Sequence, residues 1–425
     1  MLFFLTLFRF FPVSVEASQE VIRVPSDYLT IQEAIDRAAP GSIVLVDSGI
    51  YYEHLEVNKS ISLMGQEKMS TIIDGGGSGT VITVVADNVL IDGFTIQNGG
   101  TEFFSGASIF LNQSYNSVIS NNIITNSTSG ISLDDSTGNT IFDNIVTKCG
   151  NFIPGSLYWG GAIDLLEDSS DNVISGNILA NNVLYGLSLQ SNFGNQIYGN
   201  VIADNEFYGI QLDCSDLNII YHNNFINNHH QHSELYESYD NTWDNGAEGN
   251  YWDSYSGLDD GSGGRVAGDG VGDTNLPHLG LDNYPLTNPY GPIPIVWENT
   301  AYPVNLLSNS TISAFRFKQA DKRITFTVSG LTNTTGFCNL TIPKNLLRDN
   351  PWKILLNSAD ITSQAVIKEN QTHTSIYFTY NHSAYNIQII GTWVIPEFPQ
   401  TMIMPLLMIL MSLSVVFAKK RFIKP

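Results

Sequence analysis

One short phrase recurs five times in the middle of this chain: Ile119-Ser-Asn-Asn122-Ile, Ile141-Phe-Asp-Asn144-Ile, Ile174-Ser-Gly-Asn177-Ile, Ile197-Tyr-Gly-Asn200-Val and Ile220-Tyr-His-Asn223-Asn. The last asparagines of the five copies fall 22, 33, 23 and 23 residues apart. A second phrase interleaves with the first: Gly130-Ile-Ser-Leu133, Ala162-Ile-Asp-Leu165, Gly186-Leu-Ser-Leu189 and Gly209-Ile-Gln-Leu212. A fixed period in the low twenties is the signature of a solenoid, in which each repeat buries its apolar face only by stacking on the next.

The spacing inside each repeat selects the kind of solenoid. Ile131 and Leu133, Leu187 and Leu189, and Ile210 and Leu212 alternate with polar residues, which is the two-residue period of a strand. No apolar run keeps helical spacing through a whole repeat. Short alternating strands separated by Gly, Asn, Asp and Ser fit the coils of a right-handed parallel β-helix, stacked at roughly 4.8 Å. The recurring Asn is placed at the bend between strands, its amide bonded to the same Asn one coil away. The 33-residue step holds an insertion, Gly150 to Gly161, which a solenoid accommodates as a loop on one face.

Ahead of the repeats, Thr30 and Glu33 form a capping box, Ile31, Ala34, Ile35 and Ala38 make one apolar face, and Pro40 ends the segment. A helix there closes the open end of the solenoid. Strands are expected over 42–46, 50–57 and 60–64. The stretches Pro25-Ser-Asp-Tyr-Leu-Thr-Ile-Gln-Glu-Ala-Ile, Gly49-Ile-Tyr-Tyr-Glu53 and Asn58-Lys-Ser-Ile-Ser-Leu resemble the first coils of exported right-handed β-helix proteins related to pectate lyases. Beyond the repeats come Gly249-Asn-Tyr-Trp252-Asp, Gly268-Asp-Gly-Val-Gly-Asp273 and Asp282-Asn-Tyr-Pro-Leu286. This block resembles the end of the β-helix in the NosD family, periplasmic proteins linked to copper maturation of nitrous oxide reductase. The resemblance covers about residues 20–290; it implies the fold and does not by itself transfer an activity.

The organisation expected is therefore all-β. Residues 1–17, apolar and ending Val15-Glu-Ala17, read as a signal peptide. The parallel β-helix spans 18–294, with its capping helix at 30–39 and an acidic C-terminal cap at 240–290. After Pro289-Tyr-Gly-Pro-Ile-Pro294, six short strands (311–317, 323–329, 337–342, 352–356, 375–380 and 386–390) suggest a separate β-sandwich over 295–392 that holds the solenoid off a membrane. Residues 393–425 read as a membrane anchor or sorting signal. Pro396-Glu-Phe-Pro399 leads into the apolar run Met402–Ala418 and the basic Lys419-Lys-Arg421, the order of a transmembrane helix with its tail inside the cell. That order resembles archaeal PEF-type sorting signals.

Charge narrows the partners. Nineteen Lys and Arg face 41 Asp and Glu, a net charge of −22, which excludes nucleic acid as a ligand. Eight Asn-x-Ser/Thr sequons, at Asn58, Asn112, Asn126, Asn309, Asn333, Asn339, Asn370 and Asn381, suit a glycosylated, exported chain on the outer face of the cell membrane. The expected partners are cell-surface or environmental polysaccharide, envelope proteins, and the membrane through the C-terminal helix. Between Arg37 and Arg265 there is no arginine, and the only lysines are Lys59, Lys68 and Lys148. An anionic polysaccharide would thus be repelled by the coils.

Four residue sets can carry chemistry. A glycosidase needs two carboxylates on one face, and Asp134 and Asp164 sit in neighbouring coils, with Asp213 two further along. Trp159, Tyr185 and Tyr208 precede repeat glycines, and Tyr198 and Tyr221 continue a second column begun by Phe142; such rings either hold neutral sugars or form a self-packing ladder. Asp259, Asp260, Asp269, Asp273 and Asp282 offer hard oxygens for Ca²⁺ or are turn acceptors. His229, His230 and His232 offer ligands for copper or form a solvated loop. The function expected is that of a membrane-tethered surface protein that binds glycans or envelope components without catalysis, with a polysaccharide lyase or glycosidase and a copper-handling accessory protein as alternatives.

Overall fold

The computed structural model describes residues 20–101, 106–150, 160–235, 238–348 and 351–395. The expected signal peptide, Trp159 and the apolar run Met402–Ala418 lie outside them. Among the described residues no helix is long and apolar enough to cross a membrane.

From Val21 to Trp252 the strands coil into three parallel sheets of nine, eight and nine strands among the described residues. Each coil contributes one strand to each sheet, and each sheet sends one inward column into the core. Ile91, Ile119, Ile141, Ile174, Ile197 and Ile220 stack in the first sheet. Ile109, Ile131, Ile163, Leu187 and Ile210 stack in the second. Ile96, Ile124, Val146, Leu179, Ile202 and Phe225 stack in the third. All of these side chains are fully buried, so like packs on like along the axis with no register slip. This is a right-handed-type parallel β-solenoid.

The corners explain the asparagines. Asn122, Asn144, Asn177, Asn200, Asn223 and Asn250 form an unbroken buried ladder. In each rung the side-chain Nδ2–H donates to Oδ1 of the next Asn at 2.9–3.1 Å. The main-chain N–H of each rung donates to that same oxygen. The second amide hydrogen reaches back to an isoleucine carbonyl of the preceding coil. A bend buried this deeply would otherwise orphan its main-chain donors and acceptors, at about 1–3 kcal/mol each. Two further ladders, Asn139–Asn172–Asn195–Asn218–Asn241 and Asn182–Asn205–Asn228, serve other corners in the same way.

The first end is closed by the helix Ile31–Arg37, with Ile31, Ala34 and Ile35 buried. Thr30 accepts from the Glu33 N–H at 3.2 Å, as the capping box requires. Glu53 adds a second cap that motif reading did not assign, accepting from the N–H groups of Ile31 and Gln32 at 2.9 and 3.0 Å. The strand expected over 50–57 is two strands, Gly49–Tyr51 and Leu55–Val57, in different sheets. Tyr52 to His54 turn the corner between them, and alternation alone does not register such a change of direction.

Residues 293–394 form a small antiparallel region. Five-stranded sheets are built from Ile293–Trp297, Thr300–Ser308, Thr335–Pro343, His373–Asn381 and Val366–Glu369, and from Thr311–Lys318, Arg323–Ser329, Tyr385–Ile390, Lys353–Leu356 and Ala359–Asp360. This region does not stand off from the solenoid. Ala180, Val201, Ala203, Ile226 and Tyr251, on the outer side of the third sheet, share one apolar cluster with Ile293, Val304, Ile312 and Phe326. Arg316 meets Asp253 at 2.6 Å, the Ala314 N–H donates to the Asp253 carbonyl at 2.7 Å, and Asn224 exchanges two hydrogen bonds with the Tyr290 main chain.

Candidate functional site

With one flank of the third sheet covered, the outer face of the second sheet carries the polar side chains that sequence reading singled out. Register brings Tyr185 beside Tyr208, Ser188 beside Gln211 and Gln190 beside Asp213 in adjacent strands. Ser188, Gln190, Tyr208, Gln211 and Asp213 are partly exposed. The glycine after each tyrosine makes room for the corner ladder. A Cβ on Gly186 would lie 2.5 Å from the Ile202 side chain and 2.8 Å from Nδ2 of Asn205. Gln211 Oε1 is buried and has no hydrogen-bond partner, a cost that a donor arriving from outside would relieve.

The rings stack along the solenoid axis. Tyr185 and Tyr208 lie 6.2 Å apart at 12°, and Tyr208 continues onto His230 at 5.0 Å and 33°. Phe207 meets Tyr208 edge-on at 4.4 Å. Tyr185 is buried, 6% exposed, so this column turns its ring faces onto one another and offers edges and the end imidazole. Register puts Gly161 beside Tyr185, and Trp159 lies outside the described residues. In the other column Tyr198 and Tyr221 stack at 5.3 Å and 19°. Ser175 separates them from Phe142, while His222 beside Tyr221 stacks on Tyr290 at 4.2 Å.

The three carboxylates share the outer face without forming a symmetric pair. Asp164 lies opposite Ser132 and Ser188, and Asp134 is two residues further along the neighbouring strand, roughly 8 Å away by strand geometry. Asp213, three strands from Asp134, is at roughly 14 Å. Asp164 is 4% exposed and accepts from the Gly161 N–H at 2.9 Å. Burial pushes its carboxyl up to about 6, against the opposing hydrogen bonds from Ser129 and Gly161. The Asp134 carboxyl is also raised, by burial first and then by Glu167, Asp135 and Asp168.

The acidic cap is a set of occupied turn acceptors. Asp259 accepts from the Gly268 and Gly270 N–H groups, Asp269 from Val271, Asp260 from Ser262 and Asp273 from Gly261. Asp282 has a different part: it ends the main asparagine ladder. One oxygen takes the Asn250 N–H and the Trp252 indole N–H, each at 2.8 Å, and the other takes the Tyr284 N–H. Any side chain at Gly249 would collide with this carboxylate, 2.0 Å from the Cβ position. Burial raises the Asp282 carboxyl to about 6 despite those bonds. Among the described residues no three His, Cys, Asp or Glu side chains gather in a metal-holding group.

The histidines diverge. His229 and His230 are exposed and edge-on at 4.4 Å. His232 pairs with Ile210 and so takes the inward column at the last coil, edge-on to Trp243 and Trp252. There it meets His278, which no motif flagged; burial, then His232, push His278 down to about 4.

Three parallel sheets wound about a single apolar core, with ladder-filled corners, define a parallel β-helix protein. The family model described as periplasmic copper-binding protein (NosD) matches residues 35–257, a little over half of the chain, and the chain belongs to that family. A cell surface glycoprotein of Methanothermus fervidus is 28% identical over 170 residues, covering 39% of this chain and 23% of that one. The chain thus spans about a quarter of that relative. Among solved structures, the Dettilon tailspike protein superposes with a TM-score of 0.35 at 15% identity, covering 87% of this chain and 94% of that one. The catalytic domain of an alpha-1,3-glucanase in complex with nigerose gives 0.36 at 14%, covering 57% and 48%. Likenesses of this size bear on neither substrate nor activity. The family description implies copper, and the residues here do not fit it: His229 and His230 face solvent while His232 turns into the core, so they do not converge on one ion.

Proposed function

We propose that this chain is an exported, surface-displayed β-helix protein that binds neutral glycan chains on the outer face of its second sheet without cleaving them. The carrying observation is the paired row Tyr185/Tyr208, Ser188/Gln211 and Gln190/Asp213, lined by hydroxyls, amides and a carboxylate and holding no Lys or Arg. Such a row hydrogen-bonds sugar hydroxyls and imposes no charge penalty on a neutral chain. Display at the surface is supported by the names of the family and of the relative, and by seven of the eight sequon asparagines being exposed, all but Asn112. Residues 1–17 and the stretch beyond Ile395 would direct export and hold the chain at the membrane.

Retention on immobilised neutral glycans tests this, with Gln211→Ala and the pair Tyr185→Ala, Tyr208→Ala. Loss of retention by Gln211→Ala at an unchanged melting temperature is expected. If the tyrosine pair lowers the melting temperature and all variants are retained like the parent, the rings are a structural ladder and the reading falls. One observation favours a second reading, hydrolysis: Asp164, raised to about 6, stands at glycosidase-like distance from Asp134. Reducing-sugar release that vanishes in Asp164→Asn would establish it.

A further inference from the structure

The antiparallel region contains a cleft lined by basic side chains. It has a volume of about 670 Å³ and opens between the hairpin residues Thr300–Pro303, the turns after Pro343 and before His373, and Trp393. Lys344, Arg348 and His373 line it, with Asn345 and Gln371 as neutral donors and Tyr302 and Trp393 as rings. None of its described lining residues is Asp or Glu, on a chain whose net charge is −22.

Its walls hold one cation in a set orientation. Arg348 pairs in register with Trp393 on the short ladder of Leu347–Arg348 with Trp393–Val394, and its guanidinium lies 4.2 Å from the centroid of the Trp393 ring. Contact with the ring holds the guanidinium in place, and among the described residues no hydrogen bond occupies its N–H fork, which suits a planar bidentate acceptor. Among the described residues Arg348 forms no ion pair, whereas Lys344 is held by Glu369 at 2.8 Å. A charged fork beside a half-buried ring suits a carboxylate attached to a ring with an apolar C–H face. The volume lies within the range of small-ligand sites.

We propose that this cleft binds the carboxylated sugar residue of an acidic saccharide, a hexuronate unit, with Arg348 on the carboxylate and the Trp393 and Tyr302 rings beside the sugar. The site is separate from the face of the second sheet, which an anionic chain would avoid, so each can fail without the other. The test is titration calorimetry of the full chain with a galacturonate disaccharide, the matched neutral galactose disaccharide and inorganic phosphate. Binding of the acidic disaccharide alone is expected, weakening with added salt. Arg348→Gln should weaken it roughly tenfold or more, and Arg348→Lys, which keeps the charge and loses the fork, should recover only part. Lys344→Gln, at a partly exposed position, gives an independent loss of affinity should Arg348→Gln fail to fold. Equal binding of the neutral disaccharide, equal binding of phosphate, no binding at all, or undiminished binding by both glutamine variants would each overturn the proposal.

Discussion

Asp164 ionises against its surroundings, and that fixes the sign of its contribution to stability. Its folded carboxyl sits at about 6, above the ordinary unfolded value near 4. Between those values the folded state holds the extra proton, so stability falls as pH rises through the window from about 4 to 6. A shift of this size corresponds to a few kcal/mol at most, on the order of 2–3. Asp282 acts with the same sign. His278, lowered to about 4, acts oppositely: the unfolded chain takes the proton first, so stability rises with pH between about 4 and 6.5. Two carboxyls lose stability and one imidazole gains it, so urea midpoints for the parent should fall as pH rises from about 4 to 6. Asp164→Asn should largely remove that fall, and an unchanged profile would show that the carboxyl is not perturbed in the folded state. Asp134, Asp164 and Asp213 fall on one face because a two-residue period fixes faces. Their burial, 4% exposure for Asp164 against partial exposure for the other two, is not written in that period.

At the scale of the coil, the ladders dominate. Asn177 gives its oxygen to two donors of Asn144 and its amide to Ile141, Ser175 and Asn200. Replacement by Ala orphans several of these at once, and about 2–4 kcal/mol of destabilisation is expected. Asp282→Ala should cost about 1–3 kcal/mol, since it strands the Asn250 and Trp252 donors only at the last rung. Equilibrium unfolding in urea checks both, and a neutral Asn177→Ala would mean the bend finds other partners. The main ladder was legible because its asparagine recurs in a fixed phrase. The other two stand at a spacing of five residues, in Asn139/Asn144, Asn172/Asn177/Asn182 and Asn195/Asn200/Asn205, without a fixed flanking phrase to mark them. Asp282 looked like a metal ligand because an acidic Gly-rich block carries no mark of which carboxylate faces a buried donor.

For the molecule as a whole, the antiparallel region and one flank of the solenoid share an apolar cluster. In the third sheet, like Ile123–Thr125, the strands Val201–Ala203 and Asn224–Ile226 are buried at every position. Continuous apolar runs such as Val201-Ile-Ala203 mean a strand covered on both faces, a signal that sequence reading passed over in favour of the repeat itself. The antiparallel region covers them, joined by the Arg316–Asp253 pair, in which the Asp253 side chain is 3% exposed and the arginine 33%. Arg316→Ala leaves that carboxylate buried without its cation; with the arginine partly solvated, a cost of about 1–2 kcal/mol is expected. Cutting the chain after residue 290 is the stronger intervention. It bares Ile178, Ala180, Val201, Ala203 and Ile226 as one apolar strip running along the stacked coils, and strips of that kind associate. The truncated chain should melt below the parent and self-associate in light scattering. Ala203→Asp, placed under the covering sheet in the intact chain, should loosen the same contact and open residues 287–293 to protease. A truncated solenoid that stays monomeric and melts with the parent would show that the two parts are thermodynamically independent despite their shared core.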